Sequence, residues 1–568
     1  MAARLERRIG IIAGLLVLGV LILTARLFFI QIVKGGYYAD RADRQYQRPV
    51  TNAPDRGSIY FLTKDGARVT AATMRQGFVV AINPRLIKDP AETYRRLAEI
   101  LPLERETFLA QASDRDDSYV EIADRVETRV ADLIAAAKIE GVGAYQKRWR
   151  VYPAGTLAAH VLGFIAYDGD TRTGRYGLEK QYNEILERDP TQTFINFLGR
   201  AFAEIRGTAS GRLTQTEADL VLTIEPEVQL NLEKELALVR ERYAAAEVGG
   251  IVLEPTTGAV VAMAAAPNFD PGGRQSDISI LTNPLVSKVY EMGSIVKPLT
   301  VAAALDAGTI TADTTYVDTG RLLIDGRPIM NHDGKSHGAV SMQQVLNQSL
   351  NTGAVFAMQS LGKSKFRDYF YGYGLSEKTG IDLPSEGTGL LKNLNSPREV
   401  EYATASFGQG IAVTPIAMAR ALAVLANGGK LVTPYVVARF DRYNSRLSSE
   451  VTPASGRSVL KPETSAEISR MLVRVVDESL AGGKAKLEHY QVAAKTGTAQ
   501  MANPAGGYYA DRYLHSFFGY FPASAPRFLT FLYVVYPQGV QYASETLTQP
   551  FMNLTNFLIN YYQVPPDR

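Results

Sequence analysis

The chain has 568 residues, of which 46% are hydrophobic and 21% charged, a balance typical of a globular protein of about two to four domains. Its formal net charge of +3 gives no basis for nucleic-acid binding. Because the chain contains no cysteine, disulfides, thiolate chemistry and cysteine-ligated metal sites are excluded.

The first feature along the chain is an apolar segment at residues 9–33, which only a few polar residues interrupt. As a helix it would be about 37 Å long, enough to cross a hydrocarbon core of about 30 Å. Arginines precede it, so residues 1–8 are predicted to stay in the cytoplasm and the rest of the chain to lie outside. We therefore predict a single-pass anchor in the cytoplasmic membrane. A cleaved signal peptide is the alternative, but no A-x-A cleavage motif follows.

Residues 34–215 are predicted to form an extended α+β pedestal that binds a partner and has no chemistry of its own. Arg56, in the motif RGSIY, and Glu179, in the motif YGLEK, are expected to be buried and to pair structurally. The segment Phe194–Ile205 places large apolar side chains on one helical stripe, which fits a packed core or a surface for the membrane or a partner protein.

Residues 216–568 are predicted to form a compact domain. A strand at Leu220–Ile224 and a helix after Pro226 open it, and paired strands follow at Val248–Leu253 and Ala259–Ala265. The intervening turn, PTTG, predicts that these two strands form a hairpin.

Ser294 and Lys297 stand three residues apart in the segment VYEMGSIVKP. If Gly293 ends a loop and Ser294 opens a helix, the two side chains share a helix face and can touch. Pro298 favours a helix start, because its missing donor would have had no intrahelical partner. The N–H of Ser294 would then face a site that favours negative charge. The spacing therefore predicts a serine nucleophile, a lysine base and half of an oxyanion hole.

The SxxK spacing alone is weak support, because it recurs at Ser360 with Lys363 and at Ser458 with Lys461. A second motif favours Ser294: the only SxN in the chain, at residues 349–351. It follows a predicted helix, which a capping box opens at residues 341–344. A plain turn between two helices is the alternative for this motif.

A third motif, KTG, occurs at residues 378–380 and again at 495–497. The first copy lies among turn residues and is predicted to be a loop. The second lies in YQVAAKTGTAQM, a predicted strand in which Gly497 and Ala499 face one side and let another backbone approach closely.

His332, Asp333 and His337 are close enough in sequence to form a metal site. The Asp-Gly turn among them indicates a polar loop instead. No metal and no cofactor are predicted.

SxxK, SxN and KTG, in this order, are the motif set of penicillin-binding proteins and related serine acyltransferases. The chain resembles the class B, single-pass penicillin-binding proteins, most of all the division-type peptidoglycan D,D-transpeptidases. Further segments that carry the resemblance are RLFFIQIV, RGSIY, YPAGTLAAHVLGFI, YGLEKQY, TGIDLPSE, ASFGQGIAVTPIAMARALAVLANGG, AAKTGTAQ and HSFFGYFP. Met292 replaces the family's usual proline, Ala494 replaces the glycine before the KTG lysine, and the usual Asp-Arg pair after RGSIY is absent. These departures bear on substrate preference and antibiotic affinity and leave the reacting groups in place.

The resemblance implies a membrane-anchored multidomain α+β protein. Residues 216–568 would form a β-lactamase-like transpeptidase domain, an antiparallel sheet flanked by helices, and residues 34–215 a dimerisation-like domain. Ser294 would attack the carbonyl of the penultimate D-Ala of a stem pentapeptide. Lys297 would take its proton, and burial and the cation Lys495 would keep Lys297 neutral.

The resemblance assigns roles to the other motif residues as well. Ser349 would pass the proton to the leaving D-Ala, and Asn351 would hold the lysine and the substrate amide. The peptide would add as a strand along residues 495–500. Its terminal carboxylate and backbone would be bound there by Lys495, Thr496, Gly497 and Thr498. The backbone N–H groups of Ser294 and Thr498 would form the oxyanion hole.

The partners implied are peptidoglycan stem peptides ending in D-Ala-D-Ala, β-lactam antibiotics and a SEDS-type membrane glycosyltransferase that contacts the anchor and the pedestal. The alternatives are a D,D-carboxypeptidase or β-lactamase-like hydrolase, a non-enzymatic sensor and a bifunctional polymerase. The anchor and the long non-catalytic region argue against a lactamase, and residues 1–8 leave little to signal with. No glycosyltransferase-like acidic motif precedes Asp219.

Overall fold

The computed structural model describes residues 55–168, 171–188, 217–273, 275, 277–442 and 448–568, together with Leu23, Thr24 and Arg26. Apart from those three residues, the predicted anchor at 9–33 lies outside the described residues, as do the Phe194–Ile205 stripe and the predicted domain boundary after residue 215. No helix within the described part of the chain is long and apolar enough to cross a membrane.

The described residues divide into two compact units. The smaller contains Met74–Trp149, and the larger contains Arg56–Thr73, Arg150–Arg188 and residues 217–568. Two segments that precede the C-terminal region in sequence therefore fold together with it.

The smaller unit is a sheet covered by helices. From Met74 onward, the strand Arg68–Ile82 belongs to this unit and pairs with the strands Val120–Val126 and Val142–Val151. The helices are Pro90–Ala98, Arg105–Ser113 and Thr128–Ala137. Apolar side chains from both layers form a core of their own, which includes Val80, Ile82, Leu97, Phe108 and Ile134.

The prediction that Arg56 and Glu179 are each buried and structurally paired is confirmed within the larger unit. Arg56 Nε donates to Glu179 Oε2 at 2.6 Å, and Arg150 Nε donates to Glu179 Oε1 at 2.7 Å. All three side chains are buried. Burial alone would raise the pKa of Glu179, but the two guanidinium groups outweigh it and lower that pKa. This network joins RGSIY and YGLEKQY, two segments that are far apart in sequence.

The larger unit is built on a five-stranded antiparallel sheet in the order β2-β1-β5-β4-β3. The strands are β1 (Glu247–Leu253), β2 (Val260–Ala266), β3 (Ala493–Ala502), β4 (Tyr508–Phe521) and β5 (Phe528–Val535). The predicted hairpin and the predicted KTG strand correspond to β1-β2 and β3. Because β3 ends the order, one of its edges is unpaired within this sheet.

Helices cover both faces of this sheet. The main ones are α1 (Pro226–Arg242), α2 (Lys297–Asp306), α3 (Met342–Gln348), α4 (Asn351–Leu361), α5 (Pro415–Ala426), α6 (Pro462–Glu478) and α7 (Ala543–Tyr562). Successive strand residues face opposite sides, so Phe517 packs in the cluster with α1 and α7, and Phe518 packs in the cluster with α2 and α5. The predicted α+β architecture, an antiparallel sheet flanked by helices, is confirmed.

Shorter elements complete the larger unit. A second sheet contains Ile59–Leu62, the start of Arg68–Ile82, Ala218–Leu222, Val437–Arg442 and Ser448–Glu450. Short helices are Ala159–Leu162, Gly177–Gln181, Asn183–Leu186, Pro284–Ser287, Lys363–Gly372 and Glu399–Ala405. Between α2 and α3, Thr315–Asp318 pairs with Gly338–Ser341, and Arg321–Ile324 pairs with Arg327–Met330. We refer to residues 315–341 as the α2-α3 insertion.

Candidate active site

Ser294 lies in a short 3-10 turn, Gly293–Val296, that leads directly into α2. The turn packs against β3 at Gly497, where a Cβ atom would stand 2.7 Å from the Met292 carbonyl oxygen and 2.9 Å from the Ile295 nitrogen. The small residue predicted to admit another backbone is therefore required at this position, because the turn that carries Ser294 occupies the space of a side chain.

Lys297 is fully buried at the start of α2 and points towards Ser349. Its Nζ donates to the Ser349 carbonyl oxygen at 2.5 Å and to Ser349 Oγ at 3.2 Å. Burial, reinforced by the charge of Lys495, lowers the pKa of Lys297 well below its ordinary value. Within the described part of the chain, the hydroxyl of Ser294 forms no hydrogen bond with Lys297. A direct contact between nucleophile and base often forms only when substrate is bound.

Ser349 connects the two lysines of the site. The capping box of residues 341–344 opens α3, as predicted, and Ser349 follows α3 in the left-handed conformation, with φ +56°. Lys495 Nζ donates to Ser349 Oγ at 3.0 Å and to the Thr496 carbonyl oxygen at 3.0 Å. Lys495 is 3% exposed, and burial lowers its pKa to about 7. The SxN motif is thus a turn between two helices that also brings one hydroxyl to two buried amines.

Asn351 is the first residue of α4, and its side-chain amide donates to the Met330 carbonyl oxygen at 2.8 Å. Among the described residues it makes no hydrogen bond to Lys297. Asn351 lines the cavity of the site, but its side chain is bonded to the α2-α3 insertion.

No sequence motif marks Asp318, yet its hydrogen bonds hold together the residues around Asn351. Its carboxylate is fully buried and accepts hydrogen bonds from the Thr352 hydroxyl at 2.7 Å and the Asn331 amide at 2.9 Å. The backbone N–H groups of Gly320 and His337 also donate to it, each at 3.0 Å. Burial raises the pKa of Asp318, but these hydrogen bonds outweigh it and lower that pKa. The carboxylate therefore ties the insertion to the residue that follows Asn351.

Replacing Thr352 by valine is expected to lower the free energy of unfolding by about 1–3 kcal/mol, because the isosteric change takes a donor from a buried carboxylate. Thr555→Val is the matched control. The Thr555 hydroxyl is also fully buried but has no hydrogen-bond partner in the described part of the chain. Thermal unfolding of both full-length variants checks the difference. An equal fall in Tm would contradict the role given to Thr352.

A cavity of about 1400 Å³ opens beside these residues. The predicted site residues that line it are Ser294, Ser349, Asn351, Lys495, Thr496 and Thr498. Two predicted residues do not line it: Lys297 is fully buried, and Gly497 lies under the 3-10 turn. The Ala543 N–H, in the first turn of α7, donates to Thr498 Oγ1 at 3.1 Å.

The other copies of the motifs are engaged elsewhere. Ser360 Oγ donates to the Phe356 carbonyl oxygen at 2.8 Å, and Lys363 Nζ donates to the Pro397 carbonyl oxygen at 2.9 Å. Lys461 bonds to Asp306 through its backbone and its side chain. The first KTG lies in a loop, as predicted, where Thr379 donates to Glu386. These copies therefore have structural roles in the fold.

Two protein-family models match the chain. The model of the penicillin-binding protein dimerisation domain matches residues 51–205. The model of the penicillin-binding protein transpeptidase domain matches residues 248–555, more than half of the chain.

Curated relatives are similar over nearly the whole length. The chain is 31% identical to stage V sporulation protein D of Bacillus subtilis over 540 residues, which cover 94% of this chain and 82% of that protein. It is 26% identical to peptidoglycan D,D-transpeptidase FtsI of Escherichia coli over 571 residues, which cover 99% and 92%.

Solved structures share the fold. Penicillin-binding protein 3 of Mycobacterium tuberculosis, complexed with aztreonam, gives a TM-score of 0.67 at 23% identity, over 91% of this chain and 98% of that one. Penicillin-binding protein 2X of Streptococcus thermophilus gives a TM-score of 0.74 at 19% identity, over 90% and 80%. At these identities the likeness bears on the fold alone.

Proposed function

Since the chain belongs to the class B penicillin-binding proteins, we propose that it is a peptidoglycan D,D-transpeptidase that cross-links stem peptides through an acyl-enzyme on Ser294. One observation carries this proposal: the hydroxyl of Ser349 accepts hydrogen bonds from both Lys297 and Lys495, beside the cavity that Ser294 lines. Acyl transfer needs a proton acceptor and a cation near the nucleophile, whereas a serine that only closes a turn needs neither.

In the acylation step, the Ser294 oxygen attacks the carbonyl carbon of the penultimate D-Ala, and its proton passes to Lys297. The lowered pKa of Lys297 favours the neutral amine that this step requires. The C–N bond to the terminal D-Ala then breaks. Ser349, 3.2 Å from Lys297 Nζ, relays the proton to the leaving nitrogen. The amine of a second stem peptide afterwards replaces the ester and closes the cross-link.

The terminal carboxylate of the donor is assigned to Lys495 and the hydroxyls of Thr496 and Thr498. Because Thr498 Oγ1 already accepts the Ala543 N–H, its own proton is available for donation to an anion. The open edge of β3 supports addition of the donor peptide as a further strand. The N–H groups of Ser294 and Thr498 are assigned to the oxyanion hole, each worth a few kcal/mol.

The cellular setting belongs to the same proposal. Residues 9–33 anchor the chain in the cytoplasmic membrane with its N-terminus inside, and the catalytic region acts outside. The pedestal binds a SEDS-type glycosyltransferase that supplies the glycan strand, and β-lactams acylate Ser294. The match with FtsI of Escherichia coli, named a peptidoglycan D,D-transpeptidase, supports the cross-linking reaction. The role assigned to this reaction is cell-wall synthesis during division.

Product analysis tests the reaction itself. The full-length protein, incubated with a stem pentapeptide and an acceptor stem peptide, is expected to release D-Ala and to form a cross-linked dimer. Mass spectrometry separates the dimer from the hydrolysed tetrapeptide. Hydrolysed tetrapeptide alone, at saturating acceptor, would reject the transpeptidase in favour of a D,D-carboxypeptidase.

Lys495→Ala is expected to slow acylation by a carboxylate-bearing β-lactam by about 10²-fold, because the substrate anion loses a charged partner. Burial lowers the pKa of Lys495 to about 7, so anion binding to the parent protein should weaken as pH rises through 7. This alkaline fall should be absent in Lys495→Ala. Stopped-flow acylation rates across the pH range measure both effects.

Lys378→Ala is the matched control, because Lys378 is the lysine of the loop copy of KTG. Its acylation rate and pH profile should equal those of the parent. A loss as large as that of Lys495→Ala would show that the carboxylate site has been assigned to the wrong KTG.

A further inference from the structure

Two rings from separate elements form part of the cavity wall. His332 belongs to the α2-α3 insertion, and Tyr542 is the residue immediately before α7. Their ring centroids are 6.0 Å apart, and the rings meet edge to face at 82°. Both side chains line the cavity, and both are exposed.

This part of the wall lies beside the residues assigned to the donor carboxylate. The residue after Tyr542 is Ala543, whose N–H donates to Thr498 Oγ1 at 3.1 Å. The charge of Lys495 also acts on His332. The two rings therefore border the space in which the terminal D-Ala of the donor would sit.

The chemistry of cross-linking requires that the acceptor amine also use this space. Aminolysis of the acyl-enzyme is acylation run in reverse with a different amine. By microscopic reversibility, the attacking nitrogen must occupy the position from which the D-Ala nitrogen left. The acceptor amine must therefore enter the space that D-Ala vacates, which the two rings border.

On the basis of the proposed function, we propose that His332 and Tyr542 form the subsite for the acceptor amine of the second stem peptide. A ring nitrogen of His332 accepts a hydrogen bond from the amine, and the Tyr542 ring packs against the acceptor side chain. The amine nitrogen forms the new C–N bond, and the ester C–O bond to Ser294 breaks. One amine proton returns to the Ser294 oxygen through Lys297.

The charges around His332 suit this role. Partial burial, reinforced by the charge of Lys495, lowers the pKa of His332, and Asp333 opposes this shift. The net direction favours a neutral ring at pH 7. A neutral imidazole offers an acceptor nitrogen to the amine, whereas an imidazolium would repel any cationic form of the acceptor.

The partition of the acyl-enzyme between aminolysis and hydrolysis tests this subsite. The full-length protein is given a D-Ala-D-lactate depsipeptide as donor, with stem tripeptides that carry lysine or diaminopimelate as acceptors. His332→Phe keeps a ring against Tyr542 but removes the nitrogens. It is expected to lower the ratio of aminolysis to hydrolysis about tenfold for at least one acceptor. The ratio is set after the acyl-enzyme has formed, so it does not depend on the acylation rate.

His337→Phe is the matched control. His337 lines the same cavity from the same loop, but its Nε2 is paired with Asp333 Oδ2 at 3.0 Å. Its partition ratio should equal that of the parent. An unchanged ratio in His332→Phe, or an equal fall in both variants, would overturn the subsite. Should His332→Phe not fold, His332→Leu also lacks the nitrogens and gives the same test. Failure of the parent protein to form any acyl-enzyme would instead reject the proposed function.

Discussion

Replacing Lys297 by methionine is expected to lower the rate of acylation by a β-lactam by about 10²–10⁴-fold without lowering the Tm. Methionine is close to lysine in length, so it can fill the fully buried position while removing the proton acceptor. Because burial already disfavours the ammonium form of Lys297, the apolar side chain also removes a group that is costly to bury when charged. Acylation lost while the Tm is retained would identify a catalytic lysine, not a structural one.

Lys363→Met provides the comparison for this variant. Lys363 occupies the same position in another SxxK, and its Nζ donates to the Pro397 carbonyl oxygen. The Lys363→Met variant should be acylated at the rate of the parent protein. Acylation of Lys297→Met within about tenfold of the parent would show that another group takes the proton of Ser294.

The parts of the site that the sequence predicts are those that depend on neighbouring residues. The spacing of three residues predicts that Ser294 and Lys297 lie on one face of a helix. The capping box before the SxN motif is likewise a local pattern. Gly497 could be interpreted as a close-approach position, because a glycine in a strand leaves room for another backbone. Each of these patterns requires no knowledge of distant residues.

The orientation of Asn351 could not be predicted in this way. Its amide bonds to Met330, which lies 21 residues earlier, and this contact exists only because the α2-α3 insertion folds against α4. The partner of Thr352 is Asp318, 34 residues earlier, and no periodicity in the sequence indicates this pair. Hydrogen bonds that depend on tertiary structure therefore set the part of the site that local patterns miss.

The grouping of segments into compact units also depends on contacts between residues that are far apart in sequence. Arg56 and Glu179 are 123 residues apart, and both were expected to pair, but the sequence does not name the partner of either. The observed network of Arg56, Arg150 and Glu179 joins segments within the unit that also carries Ser294. A linear division of the chain cannot represent a unit assembled from separate segments.

Ser294→Ala is expected to abolish covalent binding of penicillin, the largest effect of any single change in this chain. The alanine leaves the 3-10 turn Gly293–Val296 intact and removes only the hydroxyl that forms the ester. Ser360 and Ser458 provide the comparison, because each belongs to another SxxK. Ser360 Oγ is bonded to the Phe356 carbonyl oxygen, and Ser458 is exposed on a short strand.

The most direct test of the central claim is the intact mass of the full-length protein after exposure to benzylpenicillin. The parent protein, Ser360→Ala and Ser458→Ala are predicted to gain the mass of the antibiotic, and Ser294→Ala is predicted to gain none. A gain in mass that persists in Ser294→Ala would contradict the assignment of Ser294 as the nucleophile.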